Sequence, residues 1–451
     1  MTDTEYDVIV VGLGPGGEHA ATQLSEAGLR VLAVEERLVG GECPYFGCVP
    51  SKMMIAAAQT LREAGRANSL AGAATVSPDW TPVADRIRDE ATGDWDDAVA
   101  VKRLEDSGAT FVRGRGVLAG DGRVTVGDTT YTATKGVVIN TGTAPAAPPI
   151  DGLADTPYWT NRDAVRLREL PSSVVVIGGG AIGCELSQVM ALFGVRVTVV
   201  DVAERLVALE EPEAGEALEK AFAEAGIQVL TGASIGSVAY ADGQFTLDLG
   251  DHQVTSEKLL VAAGRRTNLA GLGLEHVGLD PEAKVLDPDE RMRVADGVWA
   301  IGDITGKGAY THVSMYQAAV VVDDLLGRDG PAADYRAVAR VTFTAPEVAS
   351  VGLSEKAARD QGVEVRTATG DLGARGWLTR EDGLVKLVAD AERDILVGAT
   401  VVAPAGGEIL SMLALAVHAE VPITTMLHMH FAYPTYHRAI ETVLKELAAA
   451  R

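Results

Sequence analysis

Cysteines and aromatic residues are scarce in this sequence of 451 residues, which has three cysteines and 5% aromatic residues. Three cysteines cannot form a disulfide scaffold, and a close pair in a reducing compartment is more often catalytic than structural. The sequence also has no apolar run of roughly 18 residues, the length needed to span a bilayer. Its first residues, MTDTEYDVIVVGLG, are acidic before they become apolar, unlike the basic start of a signal peptide. We therefore expect a cytoplasmic protein.

Positive charge is also scarce, because 39 basic residues stand against 63 acidic ones and the net charge is -24. Such a surface repels phosphate backbones and anionic lipid headgroups. We therefore expect no nucleic-acid partner and no membrane partner.

Apolar residues and glycine are plentiful, at 47% hydrophobic residues and 50 glycines. This composition favours α/β layers joined by glycine turns over a β-sandwich. A chain of this length is too long for one core and fits two to four domains. The sequence therefore predicts a multidomain α/β protein.

Two segments repeat the same order of strand, glycine turn, helix, strand and acid. The first begins with an apolar strand at Tyr6 to Val11, continues to a strand at Leu29 to Val34 and ends on Glu35. The second begins with a strand at Val174 to Ile177 and ends on Asp201. We therefore expect two dinucleotide-binding folds in one chain.

Both turns carry the GxGxxG pattern. Its glycines are Gly12, Gly14 and Gly17 in the first turn and Gly178, Gly180 and Gly183 in the second. Glycine permits a tight turn and lets a pyrophosphate approach the backbone at the positive end of a helix. Glu35 would hold ribose hydroxyls at the first turn. Asp201 at the second turn favours NADH over NADPH, because a site for the 2′-phosphate prefers arginine, and Arg205 nearby leaves NADPH open.

Cys43 and Cys48 form a close pair in the segment GGECPYFGCVPSK. Pro50 suits the first turn of a helix, whose positive end would lower the pKa of Cys48 and make it a better electron relay. The alternative is two small buried residues in a loop, but buried structural thiols need no flanking glycines or lysine such as Lys52. Cys184 lies inside the second glycine motif without a partner in sequence, and we expect it to be a packing residue.

Hydrophobic periodicity also predicts helices and strands in the rest of the chain. Helical patterning covers residues 60–110, and short antiparallel strands are expected over 111–141. After residue 334 the pattern predicts strands at 341–352, 384–389 and 395–402 and helices at 406–420 and 435–449. This part is therefore expected to be a separate α+β domain.

Six motifs occur in a characteristic order, namely GLGPGG, GGECPYFGCVPSK, GGGAIGCE, AAGRRTN, AIGD and FTAPEVASVGLSE. Together they resemble the class I pyridine nucleotide-disulfide oxidoreductases, the family of dihydrolipoyl dehydrogenase, glutathione reductase and mercuric reductase. The resemblance covers essentially the whole chain. It implies an FAD-binding domain at 1–145 and 266–335, an NAD(P)-binding domain at 146–265, and an interface domain at 336–451 that makes a homodimer.

The resemblance also implies a role for each matching residue. Cys48 would be the thiol next to the flavin that forms the charge-transfer complex, and Cys43 the interchange thiol that faces substrate. Lys52 would pair with Glu185 near the flavin and contact the cofactor. Further residues would bind the cofactors, with Asp303 on the ribityl chain and Thr311 and His312 along the pyrimidine edge; the others are Pro15, Gly16, Gly41, Gly116, Thr141, Gly142, Ile182, Gly264, Arg265 and Gly302.

The C-terminal segment departs from the family. Where most of these reductases have HPTxxE, this chain has Tyr433-Pro-Thr-Tyr-His437-Arg438. A tyrosine with a pKa of about 10 is a poor base near neutrality, whereas a histidine near 6.5 is well placed. Tyr433 or a shifted histidine such as His437 is therefore expected to take the catalytic place, and ordinary dithiol oxidation is in question.

Two other features of the same region bear on metal binding and on the resemblance to mercuric reductases. His428 and His430 have the spacing of two metal ligands but lack a third, so we expect no metal site. Mercuric reductases carry a tyrosine near this place, yet they also end in a cysteine pair, whereas this sequence ends in LAAAR.

The sequence thus predicts an FAD-dependent NAD(P)H oxidoreductase that passes electrons from NADH through FAD to Cys43 and Cys48, and then to an unidentified small-molecule acceptor. The first alternative is an NAD(P)H:quinone, diaphorase-type or metal-ion reductase in which the flavin reacts directly. The second is a flavin redox sensor of low turnover, which an intact nicotinamide site makes less attractive.

Overall fold

The computed structural model describes residues 4–450. Up to residue 145 the elements are β1 (Glu5–Val11), α1 (Pro15–Glu26), β2 (Val31–Glu35), α2 (Glu42–Tyr45), α3 (Cys48–Leu70), α4 (Thr81–Arg86), α5 (Ala98–Asp106), β3 (Thr110–Arg113), β4 (Gly116–Leu118), β5 (Arg123–Val126), β6 (Thr129–Ile139) and β7 (Thr143–Pro145). From 161 to 261 they are α6 (Asn161–Ala164), β8 (Ser173–Ile177), α7 (Ala181–Leu192), β9 (Arg196–Val200), α8 (Pro212–Glu224), β10 (Gln228–Leu230), β11 (Ser237–Ala241), β12 (Gln244–Asp248), β13 (Gln253–Ser256) and β14 (Lys258–Val261).

The remaining elements complete the chain. They are β15 (Arg265–Thr267), β16 (Arg293–Ala295), β17 (Val298–Ala300), α9 (Thr311–Leu325), β18 (Ala339–Thr342), β19 (Glu347–Gly352), α10 (Glu355–Asp360), β20 (Val365–Asp371), α11 (Gly373–Thr379), β21 (Leu384–Asp390), β22 (Ile395–Ala403), α12 (Gly406–His418), α13 (Ile423–Leu427) and α14 (Arg438–Ala449). Short 3₁₀ turns at Leu153–Asp155, Leu274–Val277 and Gly302–Thr305 and a π turn at Ile87–Ala91 lie between them.

The chain divides into two compact units. The first comprises the chain up to Pro50 together with Asp85–Ala146 and Arg265–Asp334. The second comprises Ser51–Ala84, Ala147–Gly264 and the chain from Tyr335 onward. The three-domain boundaries drawn from the sequence stay a prediction.

The first unit is built on a largely parallel sheet. Its strand order is β16-β17-β6-β1-β2-β3, and β4 and β5 extend it beside β6. β1 pairs in parallel with β2 on one side and β6 on the other. Its residues Val8 to Val11 are all buried, as expected for a strand covered on both faces. The turns that leave β1 and β6 therefore lie side by side at the carboxyl edge of this sheet.

The second unit contains three sheets. The four-stranded parallel sheet has the order β10-β9-β8-β14, and the three-stranded sheet has the order β11-β12-β13. The five-stranded antiparallel sheet has the order β18-β19-β22-β21-β20, with α12 against β19 and β22 and α14 against β20 and β21. The predicted α/β class, with two glycine-turn folds and a C-terminal α+β part, is confirmed.

Several sequence-based boundaries were wrong. Helical patterning at 60–110 resolves into the end of α3, then α4, a π turn and α5, with Gly72 and Gly93 at positive φ outside the α-helices. The strand expected at 341–352 is two strands, because the segment before Pro346 turns between β18 and β19. The last helix starts at Arg438 rather than 435, after a turn that contains Pro434.

Within residues 4–450, no helix combines the length and the apolar character needed to cross a bilayer.

Candidate active site

The first glycine turn leaves β1 of the first unit. Gly12 has φ +91°, and a Cβ atom there would overlap the carbonyl oxygen of Asn140. A Cβ atom on Gly17 would overlap the carbonyl oxygen of Gly12. Glycine is therefore required at both positions for β1 to enter α1, whose first residue is Pro15.

Glu35 ends β2 beside this turn. Its carboxylate accepts hydrogen bonds from the backbone N–H groups of Leu13 and Arg37 at 2.8 and 2.7 Å. Burial raises the pKa of Glu35, and these two hydrogen bonds and the charge of Arg113 act in the opposite direction. An acceptor is thus held at the place where the sequence predicts a ribose contact.

The second glycine turn joins β8 to α7 in the second unit. Gly178 has φ +113°, and a Cβ atom on Gly183 would overlap its carbonyl oxygen. The Asp201 carboxylate at the end of β9 accepts from the backbone N–H of Gly179 and, at 2.8 Å, from that of Ala203. The acid predicted to favour NADH thus fastens the turn through its own hydrogen bonds.

Three further residues, Gly180, Ile182 and Cys184, lie in or next to this turn. Gly180 caps the first turn of α7, and no other atom would lie within 4 Å of a Cβ atom there, so its place is open. Ile182 lies in the first turn of α7. Cys184 is fully buried and donates its S–H to the Gly179 carbonyl at 3.2 Å. Burial raises the pKa of Cys184, in line with the packing role expected for it.

The cysteine pair lies in the first unit. Cys43 is half-buried in α2 and Cys48 is exposed at the start of α3, and neither is in a disulfide in this structure. A hydrogen bond between the two side chains raises the pKa of Cys43, and burial raises it further. The structure therefore brings the two predicted redox residues into direct contact and favours the protonated form of Cys43.

A threonine hydroxyl joins this pair. Thr311 Oγ1 at the start of α9 lies 3.4 Å from Cys48 Sγ. A hydrogen bond from the same side chain lowers the pKa of Cys43, against the larger effects that raise it. The next residue, His312, stacks on Tyr310 with ring centroids 5.3 Å apart. Thr311 thus lies with the thiols, and the role of His312 stays a prediction.

Lys52 and Glu185 meet in the second unit. The Lys52 ammonium lies 2.7 Å from Glu185 Oε2, and Glu185 Oε1 accepts from the Phe343 backbone N–H at 2.9 Å. Glu185 is only 6% exposed, and the Lys52 nitrogen lies 4.6 Å from the centre of the Phe343 ring. The buried carboxylate is thus satisfied at both oxygens and fixes the lysine.

Asp303 follows β17 and binds a residue that sequence reasoning missed. Its carboxylate accepts from the Thr143 hydroxyl at 2.6 Å. Arg265 donates to that hydroxyl at 2.7 Å and to the Thr143 carbonyl at 3.0 Å, and it forms an ion pair with Glu42 at 3.5 Å. Arg265, predicted as a cofactor contact, thus supports Asp303 through Thr143.

The other predicted cofactor residues of this unit lie around the same sheet edge. Gly302 has φ +79° and is close to Asn140, and Gly16 packs against Ser314. Gly41, at φ +68°, packs against Gly14. Asn140 follows the buried end of β6, and a polar residue at that point followed by Thr-Gly-Thr was a signal that could have identified it.

Smaller contacts complete the set. Gly116 packs against Val11. Gly142 has φ +62° and accepts the backbone N–H of Asn268 at 2.9 Å, and Thr141 accepts the Asn268 side-chain amide at 2.9 Å. Gly264, at φ +146°, is the last residue of the second unit before Arg265.

The C-terminal segment belongs to the second unit. Tyr433 is 71% exposed, and the Arg438 guanidinium lies 5.6 Å from the centre of its ring. His437 packs against Phe431 with ring centroids 6.0 Å apart, and Arg438 pairs with Glu441 at 2.8 Å. Glu441, the carboxylate nearest to His437 in the sequence, is thus paired with Arg438 and does not orient His437.

Among residues 4–450, no three histidine, cysteine, aspartate or glutamate side chains come together in a way that could hold a metal ion. His428 and His430 are both exposed.

Comparison with known proteins decides the family. Residues 6–319 match the model of the pyridine nucleotide-disulphide oxidoreductases, and residues 338–444 match the dimerisation domain of the same family. The chain belongs to this family. It is therefore an NAD(P)H-dependent flavoprotein disulfide oxidoreductase, and the dimerisation domain supports a homodimer.

Individual relatives cover nearly the whole chain. A mercuric reductase of Streptomyces lividans is 33% identical over 453 residues, covering 97% of this chain and 95% of the relative. A dihydrolipoyl dehydrogenase of Halobacterium salinarum is 34% identical over 460 residues, with 97% and 95% covered. The crystal structure of LpdA from Mycobacterium tuberculosis has 27% sequence identity and a TM-score of 0.86, with 98% and 99% covered.

Members of this oxidoreductase family are FAD-dependent and bind NAD(P), and the first unit fits FAD. The glycines of its turn leave a cradle that side chains would fill. Glu35 offers a carboxylate at the turn, and the Thr141 hydroxyl oxygen is buried without a hydrogen-bond partner among the described residues. Buried polar atoms of this kind are usually satisfied by a ligand or water.

Proposed function

We propose that the chain transfers two electrons from NADH, by way of FAD, to a Cys43–Cys48 disulfide, and from the resulting dithiol to a small-molecule oxidant. The contact between the two cysteine side chains, joined by the Thr311 hydroxyl, carries this proposal. Two thiols within hydrogen-bond distance can form a disulfide after a small side-chain adjustment. FAD, when bound, supplies the two-electron relay between the nicotinamide and the thiols.

The residues named above take defined parts in this proposal. The FAD-binding domain would be 1–145 with 266–335, the NAD(P)-binding domain 146–265 and the interface domain 336–451. Gly12, Gly14, Gly17 and Glu35 would hold FAD, and Asp201 with its glycine turn would hold NADH. Lys52, fixed by Glu185, would place a positive charge at the cofactor.

Cys43 and Cys48 would have different roles after reduction. In the net reductive step, NADH gives a hydride equivalent and solvent a proton, the S–S bond breaks and two thiols form. The Cys43–Cys48 hydrogen bond raises the pKa of Cys43 and favours its thiol form, which suits the interchange role, while Cys48 would be the sulfur next to the flavin. The oxidant then takes two electrons, two protons leave the thiols and the S–S bond forms again.

NADH is proposed over NADPH because of the surroundings of Asp201. Its carboxylate stands where a 2′-phosphate would need a positive group. The Arg205 guanidinium is engaged, since it donates to the carbonyl oxygens of Ala208 and Glu210 at 2.9 and 3.1 Å. A cytoplasmic location, without membrane or nucleic-acid partners, is proposed from the low content of three cysteines and the net charge of -24.

Thiol counting under native conditions tests the relay. The oxidised holoenzyme is incubated anaerobically with one equivalent of NADH and then treated with a thiol reagent. Wild type should gain two reactive thiols per chain and develop a long-wavelength absorbance that Cys48→Ser abolishes. Reduction of the flavin with no gain in thiols would refute the relay. Cys184 is buried and serves as the unreactive internal control.

A second candidate is direct reduction of a quinone or metal ion, with the cysteines dispensable. The exposure of Tyr433 and the pairing of Arg438 with Glu441 favour it, because no base is oriented there for dithiol oxidation. The relation to mercuric reductases adds Hg(II) to the acceptors worth testing. Under this candidate, Cys43→Ser would leave quinone turnover unchanged.

An acceptor screen separates the two. Lipoamide, low-molecular-weight disulfides, quinones and metal ions are offered to wild type and to Tyr433→His. A gain of lipoamide activity in the variant would show that the missing base sets the specificity. Steady NADH consumption by wild type with any acceptor excludes the redox sensor of low turnover.

A further inference from the structure

The segment 201–211 connects β9 to α8 in the second unit, and we call it the Asp201 loop. It is fastened to the second glycine turn at two points. The Asp201 carboxylate accepts from the Gly179 N–H, and the Val207 N–H donates to the Gly179 carbonyl at 2.8 Å. The loop and the glycine turn therefore move together.

The loop is held in a strained conformation at Val207. This residue has φ +43°, and it is buried, with 4% of its surface exposed. A β-branched residue at positive φ is a true outlier, and such strain persists only when surrounding contacts fix it. Something outside the loop must therefore hold it in place.

Two basic residues far along the chain hold its end. Arg340 in β18 donates to both carboxylate oxygens of Glu210 at 3.1 Å. Lys386 in β21 is 4% exposed and donates to Glu211 at 3.0 Å and to Glu213 at 2.8 Å. We call Arg340 and Lys386 the loop anchors.

The anchored conformation also engages Arg205. Its guanidinium donates to the carbonyl oxygens of Ala208 and Glu210. Glu210 therefore makes both contacts, because its carbonyl oxygen accepts from Arg205 and its carboxylate accepts from Arg340. While Glu210 is fixed, Arg205 has two acceptors inside the loop and is withheld from an incoming anion.

We propose that the loop anchors are positioning residues that set the discrimination between NADH and NADPH. They keep the Asp201 carboxylate on the glycine turn and keep Arg205 on the loop carbonyls. Release of the anchors frees Arg205 to meet a 2′-phosphate and loosens the carboxylate. This inference rests on the proposed role of the second glycine turn in binding NAD(P).

Equilibrium binding of NAD⁺ and NADP⁺ to the oxidised holoenzyme tests the proposal without turnover. The variants are Arg340→Met and Glu210→Gln, which break the same contact from opposite sides. In both, the ratio of the NADP⁺ to the NAD⁺ dissociation constant should fall about tenfold, equivalent to about 1.4 kcal/mol. Adding Arg205→Met should remove the gain for NADP⁺, and Arg340→Lys should give an intermediate ratio.

Arg393→Met is the matched control, because Arg393 pairs with Glu420 and does not touch the loop. It should leave the ratio unchanged. Hydrogen exchange over residues 203–211 provides the second readout, with faster exchange expected in Arg340→Met and not in the control. Faster exchange with an unchanged ratio would overturn the proposal, as would an unchanged exchange rate.

The same experiment distinguishes the two levels of inference. If wild type bound neither NAD⁺ nor NADP⁺, the proposed function of the second turn would fail and the anchors would have no cofactor preference to set. If wild type bound NAD⁺ and the variants retained its preference, only the role of the anchors would fail.

Discussion

Replacing Cys48 with alanine should lower the pKa of Cys43. The hydrogen bond that the Cys43 thiol donates to Cys48 is the largest cause of the raised pKa of Cys43, followed by burial. Alanine removes this bond and the charge of a Cys48 thiolate, while the Thr311 hydrogen bond, which lowers the pKa, remains. The thiol form of Cys43 then loses its main support.

The expected size follows from the strength of one such bond. A hydrogen bond with a charged group contributes about 1.5–3 kcal/mol, and one pKa unit corresponds to about 1.4 kcal/mol. Because Cys43 is half-buried, we take the lower end and expect a fall of about one unit. At a pH well below the midpoint, the Cys43 thiolate fraction should therefore rise about tenfold.

The assay is the pH dependence of initial alkylation rates with iodoacetamide on the fully reduced protein. Cleavage with chymotrypsin after Tyr45 or Phe46 places the two cysteines on separate peptides, so mass spectrometry reads Cys43 alone. Cys48→Ser, which keeps a hydroxyl in place of the thiol, is the matched control and should give a smaller fall. A Cys43 midpoint that stayed at or above the wild-type value in Cys48→Ala would refute the reasoning.

Three further changes test the surrounding structure. Lys52→Met should lower the free energy of unfolding by about 1–3 kcal/mol in a denaturant titration, because the buried Glu185 loses its partner, and an unchanged midpoint would contradict this. Gly183→Ala should abolish NAD⁺ binding and lower the melting temperature, since its Cβ would overlap the Gly178 carbonyl, so retained binding would show that the turn relaxes. Gly65→Ala in the middle of α3, where a Cβ meets no other atom, should instead raise the stability by about 0.5–1 kcal/mol, and a loss would mean that the helix is not formed there.

The parts of the fold that follow from local pattern could be predicted from the sequence. The strand expected at Leu29 to Val34 is Val31–Glu35, and the one expected at Val174 to Ile177 is Ser173–Ile177. Apolar runs bounded by glycine act over a few residues, so their signal lies within one short window. Both glycine turns are accordingly formed where the motifs lie.

The errors arise where local patterns compete. The helical periodicity at 60–110 did not indicate where α3 ends or where α4 and α5 begin, although glycines and prolines lie between these helices. The cysteine pair was predicted from its spacing and flanking residues, whereas the pairing of Lys52 with Glu185 came from the family resemblance. That contact joins residues 133 positions apart, which no window of sequence can detect.

The supporting residues could not be predicted for the same reason. Thr143 beneath Asp303, and Arg340 on Glu210, are single residues without any pattern around them. Their roles exist only once the sheets bring distant segments together. The place of Tyr433 in the family motif and its role both stay predictions.

The ion pair of Lys52 with Glu185 has a thermodynamic consequence. Lys52 lies one turn into the helix that begins at Cys48, and Glu185 lies in the helix that begins at the second glycine turn. A displacement of α7 would therefore change the energy of this ion pair and the position of Lys52 in α3. Such linkage is reciprocal. If dinucleotide binding changes the free energy of thiol reduction, thiol reduction must change the free energy of dinucleotide binding by the same amount.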